Sequence, residues 1–545
     1  MDQYLNTTQK QGEDGPDLDR LLRRFEAAKA KRQDWEPLWK EAYDYTLPQR
    51  SGFGMQKAAG RPRHNDLYDG TALDAVEQLA SSLLGNITPP WSQWFGLKPG
   101  RDLNDREAEA LAPVLEEAAK TIQNHFDRSN FIVEVHQCYL DLIVGGTAVL
   151  AFEEAAPGAF SAFKFTAIPL HRIVMEEGDD GLLRAFFRSL SLTLSQLKER
   201  YPSATLPPQV LREGTQDPQR QFDVMESVIP NEMGSYDCIA VLTDMGSPVL
   251  LKNTRVAQSP LIAFRWLKSP GEIYGRSPVM KALPDIKTAN KVVELVLKNA
   301  SIAVTGIWQA DDDGVLNPAN IELKPGSIIP KAVGSKGLTP LEMPGRFDIS
   351  QLVLEDLRGR IRHALLTDQL APISGPAMTA TEVLERSAQM SLLLGATYGR
   401  LQSEFMTPLV LRAFSILKRR GETPDIHIDG RLVELDYRAP LARSQGQRNV
   451  QNTLYWVQTS LALGGEAAEA INLAEVARFL GDALAVPSHL MRKEPPFERF
   501  AEQAGAIIDD LPDANTQSFT QNFTQNLTEE MRDESKNLSG QPVSQ

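Results

Sequence analysis

The chain has 545 residues, 42% hydrophobic and 23% charged, enough for a substantial core divided among several structural regions. Its two cysteines, Cys138 and Cys238, exclude a disulfide framework or a thiolate metal site and read as reduced core residues. A formal net charge of −14 excludes tight, sequence-blind binding to nucleic acid, which needs a dense basic footprint, although an acidic wall with a few cations suits a duplex that slides.

The opening run MDQYLNTTQKQGEDGPD is polar and has neither the charged nor the apolar region of a signal peptide. A soluble, non-secreted chain is expected, with residues 1–16 disordered. No stretch reaches the roughly 18 uninterrupted apolar residues of a membrane span. From Asp17 on, Leu21, Phe25, Ala28, Arg32, Trp35, Trp39 and Ala42 recur at alternating steps of four and three, one face of an amphipathic helix. Residues 50–66 read as a basic, glycine-rich loop. The spacing predicts a second helix from the Thr71–Asp74 cap pair to Gly85, a loop with two tryptophans (ITPPWSQWFGLKPG), and further helices over about 105–127 and 131–144.

Between about 147 and 267 the texture changes to short β-branched and aromatic runs: TAVLAFEE, FSAFKFTAIPL, HRIVMEE, LRAFFRSLSL, YDCIAVLTD and SPLIAFRWL. These predict an antiparallel sheet with one inserted helix at LSQLKERYP. Helical texture returns from about 278, broken over 305–345 by a segment dense in proline and glycine that reads as a small β-rich insertion. The tail from Asn515 is polar and partly repetitive, hence expected to be disordered.

Enzyme signatures are missing. There is no Gly-x-x-x-x-Gly-Lys-Ser/Thr, and VGSKG at 333–337 lacks both the spacing and the strand–helix setting. There is no His-Glu-x-x-His, no Cys/His cluster and no Gly-x-Ser-x-Gly elbow. In DDDGVLNPANIE, Asp311, Asp313, Asn317 and Glu322 fall at positions 1, 3, 7 and 12 of a calcium loop, but Val315 and Leu316 occupy positions 5 and 6, where a ligand and a glycine belong. The segment reads as a solvated turn whose Asp311, Asp312 and Asp313 attract a basic partner. No catalytic residue, metal or cofactor is expected.

Two helices flank the insertion. Over 282–301, Ile286, Val293, Leu297 and Ala300 form an apolar stripe, and Lys287, Lys291 and Lys298 share another face. Over 348–370, Leu354, Leu357, Ile361 and Leu365 keep helical spacing, with Arg358 and Arg362 one turn apart and Arg360 between them. These cations are candidates for sequence-blind phosphate contact. Next comes an uncharged, flexible stretch, Ala371, Pro372, Ile373, Ser374, Gly375, Pro376, Ala377 and Met378, ahead of a capping box of Thr379 and Glu382. The helix that box opens is expected to reach Gly421, with a kink at Pro408.

Five stretches in order resemble one family: WEPLWKEAYDYTLPQR, YDGTALDAVEQLASSLLGNITPPWSQWFGL, EIYGRSPVMKALPDIKTANKVVELVLKNASIAVTG, MTATEVLERSAQMSLLLGATYGRLQSEFMTPLVLRAFSILKRRG and LDYRAPLARSQGQRN. They are similar to the head-to-tail connector, or portal, proteins of short-tailed bacteriophages, over about residues 20–490. The resemblance implies an α+β, mainly helical portal fold. Its parts would be a wing (17–277), a two-helix stem (278–301 and 348–370), a β-rich clip (302–347), a tunnel loop (371–379), a wing return with a long helix (380–439), a helical crown (440–495) and a polar tail (496–545). It also implies a ring, typically of twelve copies, at one capsid vertex, through which double-stranded DNA is packaged and ejected. Implied partners are the terminase large subunit, which would be the separate ATPase, a scaffolding protein, the major capsid protein and a tail adaptor or nozzle protein. No membrane is implied, and assembly would occur in the host cytoplasm. The missing phosphate loop and carboxylate cluster weigh against a packaging ATPase or nuclease. The lack of an apolar span or a basic amphipathic helix weighs against an ejection protein acting on membranes.

Overall fold

Asp17 caps the first helix, accepting the Arg20 amide at 2.9 Å, and α1 (Leu18–Gln33) buries Leu21 and Ala28. The computed structural model describes residues 16–53, 66–90, 92–244, 246–305, 308–310, 338–340, 347–370, 394–424, 431, 433–438, 440–463 and 471–483. The amphipathic face expected as one helix is split, because the chain turns at Asp34–Trp35 and resumes as α2 (Glu36–Thr46). That turn lets the fully buried Trp39 donate its indole N–H to the Gly145 carbonyl at 2.9 Å. Helix α3 (Thr71–Ile87) does not use the expected Thr71–Asp74 cap pair; Asp69 accepts the Thr71 amide instead, at 2.9 Å.

After β1 (Phe95–Pro99), α4 (Asp105–Asp127) opens on a capping box of Asn104 and Glu107. Helix α5 (Phe131–Gly145) stops at Gly146, whose φ of 73° suits glycine. The β region that follows holds β2 (Thr147–Glu154), β3 (Phe163–Ala167), β4 (Ile173–Glu177), β5 (Leu183–Thr193), α6 (Leu194–Arg200), α7 (Pro208–Gln216), β6 (Gln221–Pro230), β7 (Tyr236–Leu242), β8 (Val249–Val256) and β9 (Leu261–Arg265). It forms two sheets rather than one: a three-stranded β3-β2-β9 and a five-stranded antiparallel meander β4-β5-β6-β7-β8. The α7 helix and strands β6 and β8 fall outside the runs expected from sequence. Both faces of the meander are covered. On one, Phe187, Met225 and Val241 meet Leu21 and Ala28 of α1; on the other, Phe222, Val224 and Leu242 meet Leu197 and Val210 of α6 and α7.

The chain then enters α8 (Pro278–Thr305), the short antiparallel pair β10 (Trp308–Ala310) and β11 (Leu338–Pro340), and α9 (Phe347–Ala364). Leu366, at φ 60°, ends the helix expected to run to 370, and a separate turn of helix, α10 (Thr367–Leu370), follows. Helix α11 (394–401) continues through a π-helical turn (Gln402–Met406) into α12 (Thr407–Arg420), which ends at Gly421 with φ 73°. The break expected at Pro408 is thus a π turn just before it. Strand β12 (Val433–Tyr437) pairs antiparallel with β1. The main core draws on α2, α3, α4, α5, β2, β3, β9, α8, α9, α11 and α12. Two units divide the chain at 445/446; α13 (Pro440–Ala462) crosses the division, and the helix Leu473–Ala483 lies in the second unit. The chain is therefore an α+β protein. Among the described residues no helix is long and apolar enough to cross a membrane.

Candidate functional site

Helices α8 and α9 form an antiparallel hairpin, tied at its root by Arg360 to Asp285 at 2.9 Å. Leu354, Leu357, Ile361 and Leu365 are buried, as their spacing predicts, and so are Ala282, Ile286 and Ala289 across from them. Farther from the root the pattern changes. Leu297, expected in the apolar stripe, is 53% exposed, and Leu295, Leu352 and Val353 are also exposed. Among the described residues that end of α8 packs chiefly against α9, so these side chains stay exposed.

The candidate cations divide by what they touch. Arg358 donates from Nε to Asp69 at 2.8 Å, and the Asp69 carboxylate is almost wholly buried. Burial pushes the Asp69 carboxyl up, but hydrogen bonds from Thr71 and the Arg358 guanidinium outweigh it and hold it below the usual carboxylate range. Asn290 of α8 completes this joint. Its Oδ1 accepts the amides of Tyr68 at 2.6 Å and Asp69 at 3.1 Å, and its Nδ2 donates to the Asp66 carbonyl at 2.9 Å. Loop 66–69 is therefore gripped by one residue from each helix of the hairpin.

Lys291 and Lys298 share a single carboxylate, Glu294, at 2.9 and 2.6 Å, with both lysines 62% exposed. Lys287 reaches Glu41 of α2 at 3.1 Å, both side chains being well exposed. Such exposed pairs exchange readily with water and other anions. Arg362 is exposed and has no carboxylate partner among the described residues. Glu294 was legible in the sequence, since it stands three residues after Lys291 and four before Lys298. Asp69, Asn290 and Glu41 were not, because they lie 289, 222 and 246 positions from the residues they meet.

Asp311, Asp312 and Asp313, and the stretch Ala371–Met378, lie outside the described residues. Among the described residues no three His, Cys, Asp or Glu side chains gather as a metal site would require. Cys138 is buried and Cys238 half-buried, both free thiols.

The model of the bacteriophage head to tail connecting proteins matches residues 18–491. The chain belongs to that family. This connector is 24% identical to the "Probable portal protein" of Bordetella phage BPP-1, over 90% of its own length and 93% of that protein's. It is 25% identical to the portal protein of Salmonella phage epsilon15, covering 78% and 80% of the two chains. The portal protein of Enterobacteria phage T3 is 22% identical over 72% of this connector and 74% of its own chain. The connector is thus a phage portal protein.

Proposed function

We propose that copies of this chain close into a ring, of twelve subunits, at one vertex of the capsid, and that double-stranded DNA enters and leaves through its centre. The observation that carries the reading is the family match across residues 18–491. The hairpin supports it. Leu295, Leu297, Leu352 and Val353 leave more apolar surface on a projecting element than one copy can bury, which neighbouring copies would cover. In this reading residues 278–301 and 348–370 are the stem, 302–347 the clip, 371–379 the tunnel loop and 440–495 the crown. The wing comprises 17–277 and 380–439.

Lys287, Lys291, Lys298 and Arg362 then serve the DNA. Each exposed lysine holds a carboxylate lightly enough to exchange it for a passing phosphate, and the acidic surplus keeps the polyanion from settling. Arg358 is different, since releasing Asp69 would leave a buried carboxylate uncompensated; its work is to hold the hairpin to loop 66–69. The uncharged stretch Ala371–Met378 would press on DNA of any sequence, and Asp311–Asp313 would meet a basic surface of the terminase large subunit during packaging and of the tail adaptor or nozzle protein later. A scaffolding protein and the major capsid protein would seat the ring in the shell. The chain would have no catalytic role, ATP hydrolysis belonging to the terminase.

Light scattering with negative-stain microscopy tests this on the purified chain. A closed ring with a central hole as wide as a duplex is the expected result. A monomer that stays a monomer at high concentration and with scaffolding protein present overturns it.

A further inference from the structure

The π turn between α11 and α12 is held from outside the helix. Within it the Thr407 amide and hydroxyl both donate to the Gln402 carbonyl, the hydroxyl at 2.8 Å, so the bond spans five residues instead of four. Pro408 has no N–H, so the Glu404 carbonyl has no α-helical donor one turn on and the ladder is already interrupted next to the π turn. The Glu404 side chain turns away from solvent and meets Arg265, the last residue of β9; the two side chains are 4% and 0% exposed. Glu404 Oε1 accepts Arg265 Nη2 at 2.7 Å, and Oε2 accepts the Arg265 backbone amide at 3.0 Å. Arg400 of α11 donates to the same carboxylate at 3.2 Å.

Arg265 is also fastened elsewhere. Its Nη2 donates to the Gly181 carbonyl at 2.7 Å and its Nη1 to the Ile273 carbonyl at 3.1 Å. Gly181 lies in the turn between β4 and β5, and Ile273 in the segment entering α8. One guanidinium therefore holds the π turn, the five-stranded sheet and the approach to the hairpin together.

A π turn carries one more residue than an α turn. Closing it would rotate α11 about its axis by ~100° and slide it by ~1.5 Å relative to α12. We propose that Glu404 and Arg265 are positioning residues that form a latch, keeping the π turn open and setting the register of α11 against the body. With the latch released, α11 comes free of that register while α12 stays packed in the core. The latch stands on this geometry alone; its bearing on DNA conduction rests on the portal reading, since α11 continues the chain from the segment proposed to face the channel.

Amide hydrogen exchange on the full-length chain tests it, comparing the unaltered protein with Glu404→Gln, Arg265→Lys and Arg400→Gln. Glu404→Gln and Arg265→Lys are expected to speed exchange over 394–406 by about tenfold or more while 407–420 and β2 keep their protection. Arg400→Gln, which removes the outer arm only, is expected to give a smaller increase over the same residues. Unchanged exchange over 394–406 overturns the latch. So does an acceleration shared equally by α12 and the sheets, which would make the pair an ordinary core contact. Should Glu404→Gln fail to fold, Arg265→Lys and Arg400→Gln are read in the same way. Ring formation is measured on the same samples: an unaltered chain that forms no ring even at high concentration with scaffolding protein present defeats the portal reading and leaves the latch intact, whereas a ring with no local change defeats the latch alone.

Discussion

Arg358 and Lys298 carry the same charge on the two helices of one hairpin and do different work, because their carboxylate partners differ in burial. Asp69 has been taken out of water and needs Arg358. Arg358→Ala is expected to cost on the order of 2 kcal/mol in urea unfolding, below the range for fully buried pairs because the guanidinium is partly wet. The contribution is present above the ordinary carboxyl value of 3.8 and is lost as pH falls through the depressed folded value. Changing Lys291 and Lys298 together to Gln is expected to leave the melting temperature unchanged, yet to weaken DNA binding by the assembled protein and flatten its salt dependence. Equal binding by both proteins would remove these lysines from the channel. His171 adds a second acid response. Burial, and then the charges of Arg172 and Arg32, push its imidazole from 6.5 down to about 4. The unfolded chain takes up that proton first, so stability falls as pH drops from 6.5 towards 4. Thermal melts of His171→Gln across this window are expected to show a shallower slope than the unaltered chain.

At the scale of elements, the junction between α5 and β2 is a close approach of two main chains. Gly146 holds φ 73°, and a Cβ there would lie 2.1 Å from the Gly275 carbonyl oxygen on the segment leading into α8. Gly146→Ala combines a strained backbone with a collision between two main chains, neither of which can swing aside. It is expected to cost roughly 3 kcal/mol or more, read from chemical denaturation. The same junction shows what sequence patterning can reach. Helix α5 was legible over about 131–144, and β2 from its β-branched and aromatic texture. Strands β6 and β8 were missed for opposite reasons. In β6 both faces are covered, so Phe222, Val224, Met225 and Val228 break the alternation a half-exposed strand would show. In β8, the edge strand, only Leu251 is buried and the rest reads as a polar loop. The division of α1 from α2 was hidden because a 3.6-residue period continues through a two-residue turn with little loss of phase.

For the whole molecule, exposed apolar side chains on a projecting hairpin make a test that separates folding from assembly. Leu295→Asp combined with Leu352→Asp is expected to leave the monomer's melting temperature within a degree or two, since neither side chain is buried in one copy, and to abolish ring formation in light scattering. A variant that still closes into rings would place the subunit contacts elsewhere. The resemblance of five ordered stretches marked a phage portal, and local pattern alone determined the helical pair with its lysine and arginine positions, the helix ends at Asp17 and Gly421, and the absence of catalytic motifs. These depend on neighbours a few residues apart, where spacing translates directly into a shared face or a cap. The tertiary structure alone decided which cations are committed and which are free to trade partners. Asp69 meets Arg358 across 289 positions, and Glu404 meets Arg265 across 139. No periodicity encodes such encounters; they arise because burying each carboxylate without a cation would cost more than the fold can spare, so the packing that buries it must also bring its partner.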